Sequence, residues 1–245
     1  MQLPLHIISD THFRPVDTPA ERERRKHMVS YLDTVRSRGG TLIIGGDFFD
    51  FWFEYRHSIL NRYMDILTAL TEVNRAGVNI HFLYGNHDYW DFGFFTRTFG
   101  AIVHEEDLLL DWQKTQLRFT HGDGLLVNDR GYRLLKRVIR SPLCISLFRL
   151  LHPDLGCAIA QMVSKSSRAA QANNAYYGII RSEISQWART RWHMGEKVVL
   201  VGHYHQTGIE TENDCKIIWL GDWINHMTVT EFDGQNWQQY DWANK

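Results

Sequence analysis

Five short apolar runs, each closed by a cluster of aspartate, asparagine or histidine and four of the five with glycine, constrain this chain more than any other feature. Leu5-His6-Ile7-Ile8 leads into Asp10-Thr11-His12, Leu42-Ile43-Ile44 into Gly46-Asp47, and Ile80-His81-Phe82-Leu83-Tyr84 into Gly85-Asn86-His87-Asp88. Leu117-Arg118-Phe119-Thr120 leads into His121-Gly122-Asp123, and Val198-Val199-Leu200-Val201 into Gly202-His203-Tyr204-His205. Runs of this length, stopped by turn formers, fit strands buried on both faces of a sheet. Residues just past the carboxyl ends of such strands can converge on one sheet edge, which would make five distant fragments a single site.

The side chains in these clusters are metal ligands by type. An Asp-x-His or His-x-His alone is usually a turn, and Gly-Asn-His-Asp alone could be one as well; five clusters in this order, each after an apolar run, call for a common explanation. Two divalent ions about 3.5–4 Å apart can polarise a phosphoryl group and acidify a water, and holding them needs a bridging carboxylate. Asp47 is the expected bridge, with Asp10, His12 and His205 completing one ion's shell and Asn86, His121 and His203 the other's. A mixed carboxylate, amide and imidazole set suits borderline ions, so Mn²⁺ is the first expectation and Zn²⁺ or Fe²⁺ the next. His87, beside a ligand, is the expected proton donor or hydrogen-bond donor, Asp88 its orienting partner, and Asn86 also a contact to the substrate phosphate.

Between Gly124 and Ala170 lie eight basic residues and two acidic ones, leaving 19 basic against 26 acidic elsewhere in a chain of net charge −1. The overall balance excludes a general nucleic-acid binder. Within the basic segment, Asp129–Arg140 reads as a helix, Ser141-Pro142 interrupts it, and Leu143–Leu151 is strongly apolar. Leu155–Arg168 and Ala175–Trp192 read as further helices. Apolar residues flanked by basic ones suit an acyl-chain groove or a surface at an anionic membrane. The alternative is a helix buried in the core with basic neighbours. The apolar stretches are too short to cross a bilayer, which takes about 20 residues.

The first half alternates strand-like runs with helices over Ala20–Arg38 and Ser58–Arg75, a β-α-β rhythm that predicts parallel neighbours. In the last fifty residues, Ile209–Thr211, Lys216–Leu220, Met227–Phe232 and Trp237–Tyr240 read as short strands, with Asp233-Gly234 as a hairpin turn. A second sheet packed on the first is expected to hold all four. Cys144, Cys157 and Cys215 have no paired ligand spacing and read as reduced thiols. Leu3–Ile8 is too short for an apolar targeting segment, so a cytoplasmic protein is expected.

Taken together, the clusters resemble the calcineurin-like metallophosphoesterase superfamily from about residue 5 to 225. Phe48-Phe49-Asp50-Phe51-Trp52 with Glu54-Tyr55, His121-Gly122-Asp123-Gly124-Leu125, and Leu220-Gly221-Asp222-Trp223-Ile224 are similar to its UDP-2,3-diacylglucosamine diphosphatase branch. The resemblance implies an α/β fold, a four-layer α-β-β-α sandwich forming one domain over residues 1–245, with residues 125–195 a helical cap insertion over the active site. It implies hydrolysis of a sugar-nucleotide pyrophosphate to UMP and a diacylglucosamine 1-phosphate in lipid A biosynthesis, at the cytoplasmic face of the inner membrane. It also implies polar contacts to that substrate from Asp129, Ser167 and Arg168. His87 departs from members that carry arginine there, and it speaks for phosphoester hydrolysis in general. A soluble nucleotide, a cyclic nucleotide or another phosphoester is the alternative substrate, and an inactive scaffold the alternative class.

Overall fold

The computed structural model describes residues 2–171 and 175–245, and the side chains of all of these except 163–171, 175 and 176. Its elements in chain order are β1 (Leu5–Ile8), α1 (Pro19–Arg38), β2 (Thr41–Ile44), α2 (Met64–Arg75), β3 (Asn79–Leu83), α3 (Phe94–Phe99) and β4 (Ile102–His104). Then come β5 (Leu108–Trp112), β6 (Thr115–Thr120), α4 (Arg130–Ile139), α5 (Pro142–Arg149), α6 (Pro153–Gln171) and α7 (Ala175–His193). The chain closes with β7 (Glu196–Val201), β8 (Thr207–Glu212), β9 (Cys215–Leu220), β10 (Thr228–Phe232) and β11 (Trp237–Asp241).

Two sheets result, ordered β11-β10-β1-β2-β3-β4 and β5-β6-β7-β9-β8. In the first, β1 to β4 are parallel neighbours, as the β-α-β rhythm predicts, while β10 runs antiparallel to β1. In the second, β6, β7 and β9 are parallel.

Strand alternation builds the layers. Leu5, Ile7 and Ile43 from the first sheet meet Leu117, Phe119, Val198, Leu200, Ile218 and Leu220 from the second in one buried core. The intervening positions face outward: Ile8, Leu42, Ile44, Ile80 and Phe82 pack with Met28, Leu32, Ile66 and Leu70 of α1 and α2. On the other side, Val199, Val201, Ile217 and Trp219 pack with Ile180, Ile184 and Ala188 of α7. Because successive side chains of a strand point to opposite faces, one sequence run serves both an inter-sheet and a helix-facing core. The architecture is therefore α/β in four layers, α-β-β-α.

Helix starts follow local chemistry. Thr18 caps α1 by accepting the Glu21 N–H at 3.2 Å, with Pro19 in the first turn. Ser141 caps α5 through the Cys144 N–H, so Ser141-Pro142 both ends α4 and begins the next helix.

Two expectations need correction. The β10–β11 hairpin belongs to the first sheet, against the free edge of β1, and not to the second. Phe232 joins the inter-sheet core and Val229 the helix-facing one, so the hairpin is needed to close both layers. The helix expected from Ser58 begins with a 3-10 turn at Asn61–Tyr63 and becomes α-helical only at Met64. Of the two readings of the apolar stretch after Ser141, the core helix is the one that falls: neither α4 nor α5 contains a buried residue.

Candidate metal centre

The loops after β1, β2, β6 and β7 are stitched to one another by the backbone. Gly45 N–H donates to Ile8 C=O at 2.8 Å, Asp10 N–H to Gly46 C=O at 3.0 Å and His12 N–H to Asp47 C=O at 2.9 Å. Gly202 N–H reaches Thr120 C=O in the second sheet at 3.2 Å. Eight non-glycine residues among those described have positive φ, and five of them are Asp10, His12, Asp47, His203 and His205. Left-handed backbone costs an L-residue roughly 1–2 kcal/mol. Concentrating it here marks a site where side-chain aim outweighs backbone comfort.

That aim gathers the donors. Asp10, His12 and His205 bring one ligand atom each to within 4.8 Å of one another, and so do Asp47, His121 and His203. Asp47 stands between the groups, its Oδ2 3.6 Å from His12 Nε2 and 3.4 Å from His121 Nε2. Asn86 Oδ1 lies 3.2 Å from His121 Nε2, on the side of the second group. Gly85 is required at its position, because a Cβ there would collide with the Asp47 carboxylate.

Ring orientation is set from behind. His121 Nδ1 is 2.9 Å from Gly45 C=O and His87 Nδ1 is 2.8 Å from Asp50 C=O, so each ring donates backward through Nδ1 and turns Nε2 to the cluster. His87 also forms a third ligand grouping with His12 and Asp47. Asp50 and Asp222 lie behind the site, with carboxylate oxygens 3.8 Å from His12 Nδ1 and from His205 Nδ1 respectively. The sequence carries these two only inside the aromatic and apolar motifs Phe48–Trp52 and Leu220–Ile224, where neither was given a role at the site.

The electrostatics are those of a cation site. Burial holds the Asp10 carboxyl up at about 6. For Asp47, burial acts upward too, but His121 and His87 outweigh it and keep the carboxyl well below its ordinary range. Burial works against charge on His121, yet attraction to Asp47 and their hydrogen bond raise it to about 10. His12 and His203 are held neutral chiefly by burial, His203 down at about 3. Asp10 Oδ1, fully buried, has no hydrogen-bond partner among the described residues, although it lies 3.6 Å from His205 Nε2. A divalent cation fits these residues: it satisfies that oxygen and replaces imidazolium as the counter-charge to Asp47, leaving the rings neutral as ligands must be.

The remaining expected residues fall as follows. Asp88 is fully buried and its two oxygens accept the backbone N–H groups of Phe48 (2.7 Å) and Gly85 (2.8 Å), tying the Asp47 and Asn86 loops together. Asp129 is half-buried at the start of α4, at the far end of that helix from Arg140. Ser167 and Arg168 sit on α6, and their side chains lie outside the described residues. Asp123, next to His121, takes a hydrogen bond from Tyr132 Oη at 2.8 Å and an ion pair from Lys136 at 2.7 Å, clamping α4 to the site.

A family model described as "Calcineurin-like phosphoesterase" matches residues 3–154, and the chain belongs to that family. It is a metal-dependent phosphoester hydrolase. Similarity to individual proteins runs over nearly the full length. A UDP-2,3-diacylglucosamine hydrolase of Porphyromonas gingivalis is 28% identical over 252 residues, covering 96% of this chain and 95% of that one. A protein of the same name from Pseudomonas fluorescens is 27% identical over 239 residues, covering 95% and 92%. Among solved structures, an archaeal phosphodiesterase matches 97% of this chain and 98% of its own with 14% identity and a TM-score of 0.47.

Proposed function

We propose that this hydrolase cleaves the pyrophosphate of an acylated sugar nucleotide, UDP-2,3-diacylglucosamine, giving UMP and the diacylglucosamine 1-phosphate of lipid A assembly. The observation that carries the reading is the surface of α4 and α5. Leu134, Leu135, Val138, Leu143, Leu147 and Leu150 are each more than half exposed there, on helices whose other face grips the ligand loops. A patch of that kind, rimmed by Arg130, Arg133, Arg137 and Arg149, is costly in water and useful beside acyl chains or an anionic lipid surface. The relatives' shared substrate name supports the same reading. We therefore take α4–α7, within residues 125–195, as a cap over the site and the cytoplasmic membrane face as the place of work. No helix among the described residues is long and apolar enough to cross a membrane.

Asp10, His12, Asp47 and His205 would hold one ion, and Asp47, Asn86, His121 and His203 the other. When bound, a pair of divalent ions, manganese first and zinc or iron next, supplies charge neutralisation at the phosphoryl group and an acidified water. The chain's own residues do the rest. Asn86 directs its amide at the phosphate. His87, with Nδ1 committed to Asp50 C=O, presents Nε2 to the leaving phosphate oxygen. Burial acts to discharge that ring, but Asp47 and the Asp50 carbonyl raise its proton affinity above the ordinary histidine range, as a donor requires. Asp88 fixes the two loops that aim Asp47 and Asn86. Asp129, Ser167 and Arg168 are taken as sugar-nucleotide contacts from the cap.

The deciding experiment compares UDP-2,3-diacylglucosamine with its deacylated form. A preference of at least about a hundredfold in kcat/KM is expected, since burying even a few methylenes amounts to several kcal/mol. Equal efficiency would favour a soluble nucleotide substrate.

A further inference from the structure

Beside His205, the loop after β9 closes on itself and on the ligand loops. Gly221 N–H donates to Gln206 C=O at 2.8 Å, Trp223 N–H to Asp10 C=O at 3.2 Å and Thr228 N–H to Asp222 C=O at 3.0 Å. Trp223 Nε1 adds a bond to Thr228 C=O at 2.9 Å. Asp222, wholly buried inside this loop, uses its two oxygens differently. Oδ1 accepts the N–H groups of Ile224 at 2.7 Å and Asn225 at 2.6 Å, which pins one oxygen and leaves the carboxylate able to swing about it. Oδ2 lies 3.8 Å from His205 Nδ1, beyond hydrogen-bond length, and 2.8 Å from His226 Nδ1. A carboxylate oxygen only accepts, so His226 donates through Nδ1. The His226 side chain is half-exposed at the rim of the site.

We propose that His226 is a positioning residue of the metal centre: by holding Asp222 Oδ2 it fixes the carboxylate behind His205, and so strengthens the ion held by Asp10, His12, Asp47 and His205 in preference to its neighbour. A ligating imidazole needs an acceptor behind its other nitrogen, which fixes the ring and raises its basicity. For His121 that acceptor is a backbone carbonyl, Gly45 C=O at 2.9 Å, already held by the fold. His205 faces a side-chain carboxylate instead, and an acceptor that can swing orients a ring only when something holds it. His226 is that hold. Without it, Oδ2 is drawn to water at the half-exposed rim and away from His205 Nδ1. The inference rests on the proposed ligand set and is independent of which phosphoester is cleaved.

Mn²⁺ titration of the chelator-stripped full chain, read from the electron paramagnetic resonance of the free ion, tests it without any turnover. His203→Ala leaves the ion of His205 to be titrated alone, and His205→Ala leaves the ion of His203. Adding His226→Ala, at a half-exposed position where folding is not at risk, should weaken binding about tenfold in the first background and change it by less than about twofold in the second. His226→Asn keeps an N–H where Nδ1 stood and should restore most of the affinity. Equal weakening in both backgrounds, tighter binding in the first, or an asparagine variant as weak as the alanine one, would overturn the inference. Two ions retained by His205→Ala would overturn the ligand set and the inference together. One ion there, with His226→Ala silent in both backgrounds, overturns the inference alone.

Discussion

The backbone N–H of His203 donates to Oδ2 of Asp10 at 2.9 Å, joining the end of β7 in one sheet to the end of β1 in the other across 193 residues. Ser9 Oγ donates to the same oxygen at 2.5 Å. Asp10 is thus a strut between the sheets through Oδ2, and its free Oδ1 is what remains for a cation.

Asp10→Ala should therefore have a double effect. One of the two ions is expected to be lost by elemental analysis. Thermal melts in chelator should also show destabilisation of about 1–3 kcal/mol, because the half-buried His203 N–H loses its acceptor. Two retained ions would show that Oδ1 faces nothing that matters.

Asp47→Ala removes the carboxylate that stands 3.6 Å from His12 Nε2 and 3.4 Å from His121 Nε2. Both ions should go, and turnover with them, by more than about 10³. The same carboxylate accepts the His87 N–H at 2.9 Å, so the His87 loop should loosen, read as faster amide exchange there.

His87→Ala should leave metal content intact and slow turnover by ~10² to 10⁴, the range for a general acid. A single-turnover assay with a better leaving group should recover part of the loss. If instead one ion disappears, His87 is a ligand, as its grouping with His12 and Asp47 allows.

A pH effect on stability is expected away from the site. His81 on β3 and His104 on β4 stack with ring centroids 5.2 Å apart, and Nδ1 of the first is 2.9 Å from Nε2 of the second. Burial and the neighbouring His104 lower His81 to about 4, and burial lowers His104. The neutral forms are favoured in the fold, so the unfolded chain binds more protons between pH 6.5 and 4, and stability falls as pH drops through that window. Urea midpoints at pH 7 and 4.5 should differ less in His81→Gln than in the parent, by about 1–2 kcal/mol. An unchanged difference would mean that the pair carries no such penalty.

Much of this was legible in the chain. The five runs become β1, β2, β3, β6 and β7, because three to five mostly apolar residues closed by turn formers leave few other conformations. The choice between the two readings of Leu143–Leu151, lipid-facing surface or core helix, was not: its composition suits either, and only the packing shows that α5 has no buried residue. β4 and β5 escaped notice because Ile102–His104 has three residues and Leu108–Trp112 lacks turn punctuation of its own.

Acidic residues show the division most clearly. Asp10, Asp47, Asp88, Asp91 and Asp222 are all buried aspartates, chemically alike in sequence. Both oxygens of Asp88 and of Asp91 accept backbone N–H groups, whereas Asp10 Oδ1, Asp47 Oδ2 and Asp222 Oδ2 turn toward imidazoles. By itself the sequence determined the strands, their buried faces and the donor types at their ends, since these depend on periodicity and on turn chemistry within a few residues. Only the tertiary structure decided which carboxylates face one another across a few ångströms, which sheet took the β10–β11 hairpin, and where α4 turned its cations. Those outcomes depend on distances between residues remote in the chain, and nothing local encodes a distance.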